Sequence, residues 1–404
     1  MARGTVAQFR HPPRHILLSA DSKTQATARG RQRGQAPERV GGGGAGYPHE
    51  VRIVITGATG NVGSSLIASL SADPDVSAIQ GLARRLPAGE PATESRKVEW
   101  SAADIAGTEL EPLFDSADVV VHLAWVIQPS RNLGVQWRTN VLGSWRVFEA
   151  AGKAGVGAVV CASSVGAYSP GPKDHPVDES WPTMGIYSSV YSRQKAEVER
   201  LLDLFEYRYP GVRTVRLRPS LIFKREAASE IRRLFLGPFF PNPLASKAAI
   251  PVVPDVPGLR FQTVHTEDIA EAYRLAIKSG ASGAFNIASD PVLDPRVLAR
   301  HLKARTVPVQ PQLVRALVTA TWRLHLQPTP PGWVDMALST PLMDTTRARE
   351  ELGWKPARSS LDALDDLMAG LRSGSGSGTP PLEAGGKGFL RLSEFARGIG
   401  RRSI

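Results

Sequence analysis

The feature that most constrains this chain is an eight-residue turn, Thr56-Gly-Ala-Thr-Gly-Asn-Val-Gly63, set between a β-branched run and a helical pattern. Val51-Arg-Ile-Val-Ile-Thr56 reads as a buried strand. Residues 61–71 read as the helix that follows. Gly57, Gly60 and Gly63 stand three apart. The first lets the chain turn sharply, the second lets backbone approach a pyrophosphate, and the third lets helix pack closely on strand. The helix start then offers unpaired N–H groups and a positive dipole end to phosphates. A glycine triplet alone is a weak signal; the strand–glycines–helix context turns it into a dinucleotide site. Its expected contacts are Gly57, Thr59, Gly60, Asn61, Val62 and Gly63.

Strands and helices alternate beyond it. Strands are expected at 77–83, 96–100, 118–124, 158–163 and 213–218, with helices near 107–115, 132–154 and 188–207. This is the pattern of an α/β fold: a Rossmann-type, doubly wound parallel sheet covered on both faces. After Pro219 the periodicity weakens, with short strands at 261–264 and 284–287 and helices near 267–279, 294–304, 310–325, 345–352 and 360–371. The expected organisation is a disordered basic extension over 1–50 and a nucleotide-binding domain over 51–220. A smaller substrate-binding α/β region over 221–372 is partly interleaved with it. A flexible linker and tail follow over 373–404, beginning with Ser-Gly repeats and carrying a short amphipathic segment at 388–400.

Ligands of such sheets bind at the carboxyl edge of the strands. The second strand ends Gly81-Leu-Ala-Arg-Arg85, with no acid to bond an adenine ribose. Arg84 and Arg85 suit a 2′-phosphate instead, which favours NADP over NAD, unless they are only solvated loop residues. Asp104, after the third strand, suits either the adenine amine or the cap of the next helix. Tyr191-Ser-Arg-Gln-Lys195 sets tyrosine and lysine on one helix face. An ammonium there is expected to lower the phenol pKa toward a useful value and to hold a nicotinamide ribose. Tyr187, one turn earlier, is expected in a pocket wall or the core. Ser163-Ser164 ends the fifth strand, where a hydroxyl suits a substrate carbonyl.

Together these pieces resemble the extended short-chain dehydrogenases/reductases, the NAD-dependent epimerase/dehydratase family, over about 51–371. Thr56–Gly63 is similar to the family's TGxxGxxG turn, and His122-Leu-Ala124 to its fourth-strand segment. Asn140-Val-Leu-Gly-Ser144 and Ser164 with Tyr168 resemble its Asn and SSxxxY elements, and Tyr191 with Lys195 its YxxxK. Arg218-Pro-Ser-Leu-Ile-Phe223, Val264-His-Thr-Glu-Asp-Ile-Ala270 and Leu352-Gly-Trp-Lys-Pro356 resemble RPxxI, VHVDDVA and LGWxP. The resemblance implies hydride transfer between nicotinamide and a substrate carbon. Tyr191 would move the proton, Lys195 tune it and grip the ribose, Ser164 orient the oxygen, and Asn140 relay protons. It adds Ile105, Leu123, Ala124, Ala162, Pro219 and Ile222 to the cofactor contacts. Homodimers are usual in the family. Three departures weaken a nucleotide-sugar assignment: Lys224 where a glycine is usual, Phe261 where an arginine often holds a diphosphate, and no recognisable clamp in 225–260.

The remaining readings are exclusions and alternatives. Net charge is +11, but residues 1–50 hold eight Lys/Arg against three Asp/Glu, and 373–404 hold five against two. The stretch between is nearly balanced, so no specific nucleic-acid partner is expected. The single cysteine, Cys161, excludes an internal disulfide. The eight histidines show no HxxxH or HxH spacing in a plausible site, and His122 and His265 read as structural, so no metal is expected. With no transmembrane segment or secretory leader, the expected location is the cytoplasm. Pocket walls are expected from Trp125–Pro129 and from 223–260, including Phe235, Phe239 and Phe240, which suits an apolar small-molecule carbonyl or alcohol. A nucleotide-sugar epimerase/dehydratase holding NAD tightly, and a non-catalytic NADP-binding sensor or scaffold, are the alternatives.

Overall fold

The structure, a computed structural model, describes residues 50–87, 96–127, 132–236 and 250–383. The N-terminal extension, the 388–400 segment, Gln128, Pro129, Phe239 and Phe240 lie outside the described residues.

In chain order the elements begin β1 (Val51–Thr56), α1 (Asn61–Ser71), β2 (Val76–Ala83), β3 (Val98–Ala102) and β4 (Val119–His122). Next come α2 (Leu133–Trp137), α3 (Gly143–Ala154), β5 (Ala158–Ala162), β6 (Pro176–Val177), α4 (Val190–Arg208), β7 (Arg213–Pro219) and β8 (Leu221–Phe223). Then follow α5 (Ala228–Ile231), β9 (Val252–Asp255), β10 (Thr263–His265), α6 (Thr266–Lys278), β11 (Gly283–Ile287), α7 (Pro295–Leu302) and β12 (Arg305–Pro308). The last are α8 (Pro311–Arg323), α9 (Gly332–Ser339), β13 (Leu342–Met343), α10 (Thr346–Glu351) and α11 (Ser360–Ser373).

Seven strands form one parallel sheet in the order β11-β7-β5-β4-β1-β2-β3. The central strands are apolar along their length because both faces are covered. Val119, Val120 and Val121 are all fully buried, as are Val159 and Val160. One core layer joins α1 and α6 to the sheet through Leu66, Leu70, Ile269 and Tyr273. The other joins α3 and α4 through Val147, Phe148, Leu202 and Phe205. Strand order reverses between β1 and β4, and ligands of open parallel sheets bind at that point.

Three two-stranded parallel pairs complete the chain: β8 with β10, β9 with β12, and β6 with β13. The Leu352–Pro356 element docks on α6. Trp354 is fully buried and donates its indole N–H to Asp268 O at 2.8 Å, while the Asp268 carboxylate accepts from the backbone N–H groups of Ala357 and Arg358.

Several sequence expectations change. The helix near 107–115 is a single 3-10 turn, Glu111–Leu113. The long helix over 132–154 is interrupted by a π-turn at Arg138–Leu142, which holds Asn140. The short strands β8, β9, β12 and the helix α9 carry no strong periodicity and were not anticipated. The stretch after Ser373, expected as a free linker, folds back as far as residue 383: Leu382 is fully buried and Ser229 N–H bonds Ser375 O at 3.3 Å.

Candidate active site

The glycine turn is built as its sequence requires. Gly57 has φ +73°, and a Cβ there would lie 2.6 Å from Ala124 N, at the crossing of β1 and β4. At Gly63 a Cβ would meet the carbonyl oxygens of Gly57 and Ala58 at 2.6 Å, so α1 can seat on β1 only with glycine. His122 is buried and held neutral, its pKa pushed down to about 3 by burial. Ser144 donates to Asn140 O, so it accepts from His122 Nε2 at 2.8 Å, and Thr56 Oγ1 then donates to Nδ1 at 2.7 Å. The histidine therefore ties β1, β4 and α3 together behind the site.

A continuous cavity of about 760 Å³ runs from this turn into the C-terminal half. Every cofactor contact expected from the sequence lines it: Gly57, Thr59, Gly60, Asn61, Val62, Gly63, Arg84, Arg85, Asp104, Ile105, Leu123, Ala124, Ala162, Tyr191, Lys195, Pro219 and Ile222. Arg84 and Arg85 are exposed at its rim. The Asp104 carboxylate accepts from Ala106 N–H at 3.0 Å, capping its own turn while facing the cavity. Two buried polar atoms of the lining, Trp125 Nε1 and Ser220 Oγ, have no partner within the protein. A glycine cradle at a strand-order reversal, with arginines at its rim and unpaired donors inside, fits a dinucleotide.

Tyr191 and Lys195 stand on the first turns of α4, which Ser189 caps by accepting from Ser192 N–H at 3.3 Å. The Ser164 hydroxyl stands close enough to the Tyr191 phenol to offset part of the rise in its pKa, and Ser164 Oγ accepts from Gly166 N–H at 3.0 Å. The Lys195 ammonium donates to Ala162 O at 2.7 Å and lies 3.6 Å above the Trp125 ring. The expected tuning of the phenol by Lys195 is corrected here. Burial pushes Tyr191 up to about 12, and the group that offsets it is Ser164, not the lysine. Burial also pulls Lys195 down to about 8.

Asn140 is buried in the π-turn and spends its amide on the loop after β4. It accepts from Val126 N–H at 2.8 Å and donates to Val126 O at 3.0 Å and to Gln194 Oε1 at 2.8 Å. None of these contacts reaches Tyr191 or Lys195, so its visible role is to position the wall next to them. Tyr187 is not in a wall or the core: it is 86% exposed, with the Arg193 guanidinium 5.6 Å from its ring centre. Ser163 turns away from the reacting position and donates to Glu199 at 2.5 Å.

The burial and partners of two charges escaped the sequence reading. Glu199 continues the Tyr191–Lys195 face of α4 by one more turn and is fully buried. Arg218 grips it with both forks, Nε to Oε1 at 2.9 Å and Nη2 to Oε2 at 3.0 Å, and Arg216 adds a third contact at 3.2 Å. These arginines hold the carboxyl down to about 2 against its burial. Arg218 also donates to Tyr168 OH, which in turn donates to Asn286 Oδ1 at 2.6 Å. The second is Lys224, whose ammonium donates to Asn61 O, Ser64 Oγ and Ser65 Oγ at 2.8–3.1 Å, beneath the first turn of α1. Burial pulls it down to about 8. Alternating charge and chain order gave no hint of either partner set, since both are made across distant segments.

The inner end of the cavity is aromatic and aliphatic. Tyr191 stacks 4.9 Å from Trp333, and Trp333 meets Phe235 edge-on at 4.9 Å. Val126, Ile127, Leu234, Leu259 and Met336 complete these walls. Phe261 lines the cavity where a diphosphate-binding cation was sought, while Arg260 turns outward to donate to Lys173 O. Among the described residues no three His, Cys, Asp or Glu side chains gather as a metal site would need. Nor is any helix among them long and apolar enough to cross a membrane.

Comparison with known proteins converges on the same architecture. The profile of the NAD dependent epimerase/dehydratase family matches residues 53–288. A UDP-glucose 4-epimerase of Mycolicibacterium smegmatis is 27% identical over 341 residues, spanning 80% of this chain and 100% of that protein. An uncharacterized protein of Mycobacterium tuberculosis is 27% identical over 327 residues, spanning 79% of this chain and 83% of its own. The crystal structure of a UDP-glucose 4-epimerase with UDP-glucose from Thermotoga maritima matches with a TM-score of 0.58 at 21% identity, over 80% of this chain and 99% of that one. That of a UDP-glucuronic acid 4-epimerase with NAD from Bacillus cereus does so at 0.58 and 16%, over 80% and 99%. At these identities the structural likeness establishes the fold.

Proposed function

The chain belongs to the NAD dependent epimerase/dehydratase family of extended short-chain dehydrogenases/reductases, a family of enzymes, and from that premise we propose that it is an NADP-preferring oxidoreductase acting on an apolar carbonyl or alcohol. The observation that carries the reading is the single cavity joining the glycine turn to Ser164, Tyr191 and Lys195 and ending in apolar walls.

A bound nicotinamide supplies or accepts the hydride. This chain's residues do the rest. The Tyr191 phenol, pushed up by burial, is protonated at neutral pH and donates to a carbonyl oxygen in reduction, or takes the hydroxyl proton back in the reverse reaction. Ser164 shares that oxygen's position and keeps the phenol aimed. Lys195, fixed by Ala162 O, offers its other N–H groups to a ribose. Asn140 positions the Val126 backbone at the wall. Trp125, Trp333 and Phe235 exclude water and prefer an apolar substrate body. Arg84 and Arg85 at the rim, where the sequence ends β2 without an acid, support a 2′-phosphate. A homodimer belongs to the same reading, supported by Trp137, Leu142, Leu204 and Tyr207 exposed on α4 and on the α2–α3 segment.

Epimerisation of a nucleotide sugar is the second reading, favoured by the full-length similarity to the M. smegmatis epimerase. Phe261 at the cavity wall speaks against it. Fluorescence titration with NADPH and NADH, then a substrate panel, separates the two. Tighter NADPH binding and turnover of apolar carbonyls, abolished in Tyr191→Phe with cofactor binding retained, is the expected result. Turnover confined to nucleotide sugars, with NAD retained through purification, would overturn it.

A further inference from the structure

Helix α8 is unlike every other long helix among the described residues: none of its side chains is buried. Its inner side is tied down by polar contacts. Arg315 clasps Asp335 of α9 at 2.7 and 3.2 Å, and Gln327 Nε2 donates to Val318 O at 3.1 Å. The outer side is apolar. Leu313, Leu317 and Leu324 are 64%, 65% and 69% exposed, and with Ala320, also exposed, their spacing of four, three and four residues forms one stripe. Leu326, just past the helix, extends it. A stripe of leucines held outward by a salt bridge on the opposite side is a face shaped for an apolar medium.

Charge says which medium. From residue 295 to 334 the sequence holds six Lys/Arg and no Asp or Glu. Only Arg315 among them is in an ion pair with a described residue; Arg296, Arg300, Lys303, Arg305 and Arg323 are exposed cations. Arg323 flanks the leucine stripe, about 90° from its centre by the helical repeat. A second copy of this face would bring like charges together around the leucines. A negatively charged bilayer accepts both features at once: leucines enter the acyl boundary while the cations meet lipid phosphates and the arginine stems lie along the interface.

We propose that α8 is an interfacial helix that docks the protein on anionic membrane surfaces. It lies in the surface plane and does not span it. Its partner α9 carries Trp333 and Met336 of the cavity wall, so docking sets that wall one helix layer from lipid. The proposal does not depend on the reaction assigned above.

The test is co-sedimentation of the full chain with vesicles of phosphatidylglycerol and phosphatidylcholine in equal parts, against phosphatidylcholine alone. Binding at least ten-fold tighter to the anionic vesicles, weakening with salt, is expected. Both terminal segments are also basic, so the variants decide. Leu317→Glu with Leu324→Glu should cut anionic binding ten-fold or more, and Arg323→Gln with Arg305→Gln should cut it and flatten its salt dependence. All four positions are exposed, so cofactor titration and melting temperature should stay unchanged. Anionic binding that the leucine variants leave intact would overturn the proposal. So would no anionic binding at all, or a wild-type dimer that these variants split into monomers.

Discussion

Replacing Glu199 by Gln tests whether the catalytic helix is held in register by a buried charge. The side chain is fully buried and accepts from Ser163, Arg216 and Arg218. Its pKa of about 2 lies below an unfolded value of 4.5. Each pH unit of that difference is worth about 1.4 kcal/mol, so the ionised group contributes about 3 kcal/mol at neutral pH. The general cost of removing one partner from a buried ion pair, about 3–5 kcal/mol, agrees. Glu199→Gln is therefore expected to lose about 3 kcal/mol at pH 7, seen as a melting temperature lower by roughly 6–12 °C. The sign with pH follows from the lowered pKa. The contribution is complete above pH 4.5 and is lost as pH falls toward 2. Only the wild type has it to lose, so the gap between the two proteins should narrow by about 1.4 kcal/mol between pH 6 and 3.5. Circular dichroism melts across that range measure it. A variant that melts within 1 °C of wild type, or a gap that does not change with pH, would refute the argument.

Three further outcomes follow from the same geometry. Gly63→Ala puts a Cβ 2.6 Å from two carbonyl oxygens, whereas Gly60→Ala meets one at 3.2 Å, so the first should cost roughly 1–3 kcal/mol and the second clearly less in paired melts. Lys224→Met removes the cation beneath the first turn of α1 and should weaken dinucleotide binding about ten-fold by titration, or about 1.4 kcal/mol. Because burial sets that ammonium near 8, wild-type affinity should fall from pH 7 to 9 by a component that the variant lacks; parallel profiles would remove Lys224 from the site. Asn140→Leu frees the Val126 backbone and should lower turnover with little change in dinucleotide affinity, whereas an isotope effect on proton transfer that grows in this variant would restore the relay role.

The sheet was legible because burial on both faces leaves no alternative to continuous β-branched runs. Val51–Thr56, 118–124 and Ala158–Val160 could be read at sight, and the glycine turn fixed where β1 and α1 meet. Tyr191 and Lys195 were legible because a helix converts a spacing of four into one face. What failed to show was whatever depends on contacts between distant segments. A tyrosine and a lysine on one face suggested an electrostatic pair, but the Lys195 ammonium turns to Ala162 O and Trp125, and the phenol answers to burial and Ser164. Helical spacing places Cβ atoms; it does not say where a four-carbon stem will end.

The same limit explains why the substrate end was harder than the cofactor end. A phosphate is met by backbone, and backbone geometry leaves glycines in the sequence as its trace. An apolar substrate is met by side chains from several short elements, each too brief to show a period. Trp125 follows β4, Phe235 sits near α5, Phe261 precedes β10 and Trp333 opens α9, yet all line one cavity. Lys224 belongs to this class too. Read alone it broke a family pattern; in the fold it replaces a glycine with a cation that ties the substrate half to the first turn of α1. A departure at that position thus links the two halves of the site by contact: the lysine follows Phe223 of β8, itself in the cavity wall, and its ammonium bonds the first turn of α1.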